Sequence, residues 1–394
     1  METPTAVPVR KRIHSLDILR GLVIVLMAID HIRDYFAMTP QSPELMDPLQ
    51  PSWFFTRWIT HFCAPVFVFL AGTAAFLYGK KTNDRAALNR FLISRGLWLI
   101  LIELLVINSS WTLSLPPLVG FVFVQVIWAI GWSMILLAGL IWLPQRLVAI
   151  GALVLIAGHN ALDGIQPESW GAFDWLWKFL HMGFSWVPVG EHFGVLVAYP
   201  LIPWIALMPL GYVFGNVMNW EQARRFDFIR KLGLGLILLF ILLRLSNWYG
   251  DPRPWSVQDT ALGTIMSFLN TVKYPPSLLY LLMTLGPALL LLIPFEKMQG
   301  RVAEFFITFG RVPFFFYVLH FPILMLTAVG YHYIRYGIYL NLFTAGRDEV
   351  PETYSPQLWI VYLVFFLFLP PMYFLCKWYW RYKSTHDYWW LRYL

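Results

Sequence analysis

Apolar runs of about 17–25 residues, the length a helix needs to cross a bilayer, recur along almost the whole of this 394-residue chain. They lie near 16–36, 62–79, 91–113, 120–143, 147–162, 194–217, 231–248, 277–294, 306–330 and 357–377. Inside lipid the backbone must satisfy its own hydrogen bonds, so runs of this length fold as a helical bundle. The reading is an all-α, polytopic integral membrane protein with about ten transmembrane helices. Composition agrees, with 58% hydrophobic and only 13% charged residues, where soluble domains carry about 25% charged.

The basic residues test the count, because one span too many or too few would scramble their alternation. Twenty of the 29 Lys and Arg residues fall in alternate connecting segments, from Arg10, Lys11 and Arg12 at the start to Lys377, Arg381, Lys383 and Arg392 at the end, and eight fall in the others. Both termini are therefore predicted to be cytoplasmic. The formal charge of +7 follows from this bias. Because these residues flank spans in small groups, a nucleic-acid role is excluded.

No stretch between spans is long enough for a core of its own. Residues 1–394 are read as a single transmembrane domain, with 1–13 a cytoplasmic tail and 378–394 an aromatic and basic cytoplasmic tail. The first span is read as retained rather than as a cleaved signal peptide, since it carries Asp17 and Arg20 and lacks a small-residue cleavage site. The segments 163–193, 249–276 and 331–356 are expected to cap the outer face, and FDWLWKFLHMGF from Phe173 to form an amphipathic interfacial helix. Cys63 and Cys376 fall at opposite faces and are read as buried packing residues.

Ionisable groups within spans are costly and mark functional sites. The segment IHSLDILRGLVIVLMAIDH from Ile13 holds Asp17, Arg20, Asp30 and His31. On a helix, Arg20 and His31 share a face to within about 20° and stand about 16 Å apart. A cation thus lies near one membrane surface and an imidazole near the other. His61 and His320 are also placed in the outer half, and Asp30, beside His31, is read as the carboxylate that orients its ring as a general base. For His61 an interfacial packing role is the stronger reading. His320 is evenly balanced between a buried hydrogen-bond partner and a site residue, and Asp17 with Arg20 between a structural ion pair and ligand binding. Glu103, deep in its span, is assigned a structural pairing with Arg20 or Arg95, and Gln125 a cavity-lining or interhelical role. No metal is expected, because the spacing of these histidines matches no known site.

The stretches RIHSLDILRGLVIVLMAIDH, THFCAPVFVFLAGTAAFL, FVQVIWAIGW, YPLIPWIALMPLGYVFG, KYPPSLLYLLMTLGP and GRVPFFFYVLHFP resemble the transmembrane acyltransferases of the heparan-α-glucosaminide N-acetyltransferase catalytic type, in a bacterial-looking form. The start also resembles the type-three membrane acyltransferases of surface polysaccharides, whose first helix carries an arginine and a histidine at the spacing of Arg20 and His31. The resemblance implies acyl transfer, with acetyl- or another acyl-CoA as cytoplasmic donor and a sugar amine or hydroxyl, or a small molecule, as acceptor across a bacterial inner membrane. It implies His31, Asp30, His61 and His320 as the catalytic set. Arg20, with Asp17, Arg95 and Gln125, would form the donor side. One departure stands out: in the lysosomal members the position of His31 is an asparagine and a histidine lies in the following loop, whereas 37–60 here has none. Either His31 takes over, assisted by His61 or His320, or the chemistry has changed. A transporter or lipid-handling protein, with the same residues lining a path and no covalent step, is the alternative class. Self-association is left open.

Overall fold

The computed structural model describes residues 13–37, 50–114, 120–345 and 348–393. Most of the predicted N-terminal tail, including Arg10, Lys11 and Arg12, lies outside the described residues, as does much of the loop 37–60. The described helices are α1 (His14–Phe36), α2 (Pro51–Thr60), α3 (Cys63–Thr82), α4 (Arg85–Ile102), α5 (Asn108–Thr112), α6 (Val126–Leu140), α7 (Gln145–Gly158), α8 (Asp174–His181), α9 (Leu201–Phe214), α10 (Gln222–Ser246), α11 (Ala261–Leu269), α12 (Leu278–Lys297), α13 (Arg301–Arg311), α14 (Pro313–Tyr336) and α15 (Leu358–Thr385). Seven helical stretches among the described residues are long and apolar enough to cross a membrane: Pro51–Thr82, Arg85–Thr112, Gln145–Leu162, Leu201–Asn219, Leu278–Lys297, Pro313–Tyr336 and Leu358–Thr385. Three further helices occupy the remaining apolar windows. α6 is shorter, with 15 residues, and α1 and α10 carry several charges each.

Local chemistry sets many of the helix ends. The Asp84 carboxylate accepts from the amides of Ala86 and Ala87 at the start of α4, and Ser277 accepts from the Tyr280 amide to open α12, each using an otherwise unpaired first-turn donor. Pro313 opens α14, where a missing N–H costs nothing.

α1 is the central helix, packed against α2, α3, α12, α13, α14 and α15. That enclosure is what lets it carry charge. Its closest crossing is with α13: a Cβ on Gly21 would stand 1.8 Å from the Phe306 carbonyl oxygen, and one on Gly310 would stand 1.9 Å from that of Asp17. Gly72 and Gly211 bring α3 and α9 together in the same way. Small residues let membrane helices approach to backbone contact, where van der Waals packing rather than hydrophobic burial holds them.

The structure departs from the sequence reading in two places. First, the windows 120–143 and 194–217 do not begin as helix. Phe121–Val124 (β1) pairs in parallel with Gly194–Val197 (β3), and Ser185–Pro188 (β2) pairs antiparallel with β3, giving the order β1-β3-β2. A four-residue apolar run has no readable period, so strand and helix look alike in it. Secondly, the window 306–330 is broken at Val312, which separates α13 from α14. His320 therefore lies only about 11 Å along its helix, rather than deep within a longer one. In the tail 378–394, α15 runs on to Thr385, and Tyr393 packs against Trp98 of α4 and accepts a hydrogen bond from Arg95. The amphipathic segment after Phe173 does form a helix, α8, with Trp177 and His181 turned inwards. Cys63 and Cys376 are both buried and unpaired.

Candidate active site

At the C-terminal end of α1 the Nδ1 of His31 meets the Nε2 of His320, from α14, at 2.6 Å, with the two rings inclined by only 18°. The other nitrogen of His320, Nδ1, lies 2.6 Å from the Tyr317 carbonyl oxygen and 3.1 Å from that of Phe316. A carbonyl can only accept, so His320 Nδ1 carries the proton and its Nε2 presents a lone pair. His31 must then donate from Nδ1, which leaves its own Nε2 unprotonated. Among the described residues that nitrogen has no hydrogen-bond partner. The chain carbonyl–His320–His31 thus ends in one basic lone pair, on a residue that is only half buried. Trp111 and Phe321 flank the His31 ring, with centroids 6.1 and 4.7 Å away.

Asp30 does not hold this ring. Its carboxylate pairs with Arg33 at 2.9 Å and with Lys273 at 3.5 Å, while Arg33 also reaches Asp34 at 2.8 Å. An adjacent residue on a helix points about 100° away, so Asp30 faces a different neighbour from His31. Burial depresses the Lys273 ammonium, but Tyr274 and Asp30 outweigh it and hold it above its ordinary value. This cluster forms a charged rim beside the histidine pair.

His61 is not part of the pair either. It is buried, packs edge-on against Tyr280 and, among the described residues, has no hydrogen-bond partner for either ring nitrogen. Glu103 does not pair with Arg20 or Arg95. Fully buried at the start of a π-helical turn, Glu103–Ile107, its carboxylate faces the amides of Gln125, Ile127 and Trp128 without closing a hydrogen bond of normal geometry. The positive end of the α6 dipole is a favourable place for it.

Towards the other end of α1 lies a cavity of about 600 Å³. Three cations border it: Arg20, Arg95 and Lys383, from α1, α4 and α15. Tyr78, Phe91 and Phe314 add aromatic walls, and Met27, Leu99 and Tyr317 line it further along. Met27 and Tyr317 stand one helical turn before His31 and His320, so the cavity runs along α1 and α14 towards the histidine pair. Asp17 pairs with Arg20 at 3.4 Å, and Arg20 also donates to the Gly310 carbonyl at 3.2 Å. The Arg95 guanidinium lies 4.8 Å from the centre of the Phe314 ring. Gln125 does not line the cavity, although its neighbours Val126 and Ile127 do.

Of the residues singled out from the sequence, the structure brings together His31 with His320, and Arg20 with Arg95. Asp30 and His61 make no hydrogen bond to the histidine pair, and Gln125 does not border the cavity. Lys383 and Tyr317 were missed. Lys383 was legible only as one of several basic tail residues.

Residues 12–246 match a family described as heparan-alpha-glucosaminide N-acetyltransferase, catalytic. That stretch includes Arg20, His31 and Arg95 and ends with α10, so His320 and Lys383 lie beyond it. A comparison with curated proteins finds no match.

Proposed function

The chain belongs to the heparan-alpha-glucosaminide N-acetyltransferase catalytic family, a family of membrane acetyltransferases, and from that premise we propose that it moves an acetyl or other short acyl group from cytoplasmic acyl-CoA to a sugar amine or hydroxyl on the far side of the membrane. The observation that carries this reading is the histidine pair, whose hydrogen bonds leave one free lone pair on the helix that also borders the cationic cavity.

The whole chain acts as one transmembrane domain. α1, α6 and α10 join the seven apolar spans to give about ten, and an even number places both termini on one side. The distribution of basic residues favours the cytoplasm as that side, and the resemblance noted in the sequence suits a bacterial inner membrane. Arg20, Arg95 and Lys383 then open towards the cytoplasm, where guanidinium groups suit the phosphates of a CoA. A volume of about 600 Å³ lies within the ordinary range for small-molecule sites, and its apolar far end suits the pantetheine arm. Asp17 keeps Arg20 in place.

His31 meets the acceptor. Its Nε2 takes a proton from the amine or hydroxyl as that atom bonds to the thioester carbonyl carbon. The carbon–sulfur bond breaks, and the proton passes to the departing thiolate. His320 is a positioning residue: by accepting from His31 Nδ1 it fixes the tautomer that leaves Nε2 basic. It also stabilises the imidazolium that forms. The same lone pair would serve as nucleophile if transfer ran through an acyl-histidine, and ping-pong rather than sequential kinetics would reveal that route.

The test is acetyl-CoA binding and turnover by the purified protein in detergent, with glucosamine as acceptor, for wild type and His31→Ala. Saturable binding in both, with turnover only in wild type, is the expected result. A folded wild type that binds no acyl-CoA would overturn the reading in favour of transport.

A further inference from the structure

A second group of histidines lies outside this site. His159 directly follows α7 and opens a short helical turn, His159–Leu162, Asp163 follows it by four residues, and His181 ends α8. One ligand atom from each lies within 4.8 Å of the others. His159 is 1% exposed and His181 3%. Among the described residues, neither nitrogen of His159 has a hydrogen-bond partner, nor has Nδ1 of His181. His181 Nε2 lies 3.0 Å from Asp163 Oδ1. The second oxygen, Oδ2, accepts from the Asn160 side-chain amide at 2.8 Å, and the Asn160 side-chain oxygen, Oδ1, accepts from the Leu278 backbone amide at 2.8 Å.

We propose that His159, Asp163 and His181 form a binding site for a divalent late first-row transition-metal ion such as Zn2+, with water completing the coordination. Buried imidazole nitrogens are almost always paired, and what sets His159 apart from His61, whose nitrogens are equally unpartnered, is that it stands beside a second imidazole and a carboxylate. Two imidazoles and a carboxylate are the donor set that zinc takes in sites with an open position. Ligand atoms around zinc at about 2.0–2.2 Å stand roughly 3.3 Å from one another, so small rotations of the three side chains close the set. The site also has its outer support in place. Asn160 fixes the free oxygen of Asp163 and is itself held by the first turn of α12, the kind of second layer that orients metal ligands.

The ion would fasten α8, an interfacial helix, to the end of α7. The chain leaving α8 reaches Phe184 within three residues, and Phe184 packs against both Phe123 of β1 and Tyr274. Tyr274 neighbours Lys273 of the charged rim. The metal would thereby connect α8, through Phe184, to the residues of the charged rim, without contributing a group to the reaction.

The experiment uses the full chain in detergent, stripped with EDTA, dialysed and reloaded with Zn2+ alone, with bound metal counted by mass spectrometry in wild type, His159→Gln and His181→Gln. Wild type should retain about one equivalent and melt at a higher temperature when loaded, whereas both variants should lose the metal and the shift. Wild type without stoichiometric metal, or folded variants that hold as much as wild type, would overturn the proposal. Should the variants not fold, Cu2+ with ascorbate on wild type oxidises the residues nearest a bound metal. Oxidation mapped to His159 and His181 supports the site, and oxidation mapped elsewhere refutes it.

Discussion

Two histidine pairs occupy this molecule, and their hydrogen bonds differ in one respect that sets what each can do. In His31 and His320 three of four ring nitrogens are engaged, in a chain that starts on a backbone carbonyl and ends on a single lone pair. In His159 and His181 three of four are orphaned, and only one meets a carboxylate. A directed chain fixes tautomers and delivers one base. An undirected cluster of buried lone pairs fixes nothing and calls for a cation. On the two readings proposed above, the same residue type would serve as proton carrier or as ligand according to what lies on its far nitrogen.

The largest effect should come from removing the end of the directed chain. His31→Ala should lower kcat about 100- to 10,000-fold, the usual worth of a general base, with acyl-CoA affinity unchanged in equilibrium binding. If both fall together, His31 serves binding and the contrast between the pairs collapses.

Breaking the middle of the chain should cost less. His320→Ala should lower kcat about 100-fold, and His320→Gln should recover part of it, because a glutamine oxygen can accept from His31 Nδ1. Steady-state kinetics across the three proteins would show this. Equal losses in Ala and Gln would mean that His320 acts by packing alone.

The donor side should respond in KM rather than kcat. Arg20→Ala should raise KM for acetyl-CoA about 10- to 100-fold, the worth of hydrogen bonds to a charged group. A drop in kcat with KM unchanged would place the phosphates elsewhere.

The smallest effect tests the frame that carries both ends of the site. Gly310→Ala puts a methyl group 1.9 Å from the Asp17 carbonyl oxygen and should cost about 1–3 kcal/mol as overpacking does. Gly139→Ala, with nothing within 4 Å of the added carbon, should be neutral. Thermal melting in detergent separates the two.

Much of the candidate site could be read from α1 alone, because a helix has a fixed rise and rotation: Arg20 and His31 share a face wherever the helix packs. The partners could not be read. His31 was assigned to Asp30, its neighbour in sequence, but adjacent residues on a helix diverge, and the ring found His320, 289 positions away. Glu103 was assigned a cation and faces the start of α6 instead, because a helix N-terminus offers positive potential that no side chain announces. His181 was noticed within its amphipathic helix but not grouped with His159 and Asp163, since their meeting depends on how the chain turns between α7 and α8.

By itself the sequence determined the helical class, most of the spans and the polar face of α1, because hydropathy and helical periodicity are local properties that lipid enforces on every segment. The tertiary structure decided which imidazole meets which, where the three strands pair, and that α15 returns Lys383 to the cavity. Those contacts join residues that no local rule relates, and only the packing of the helices against one another brings them within hydrogen-bonding reach.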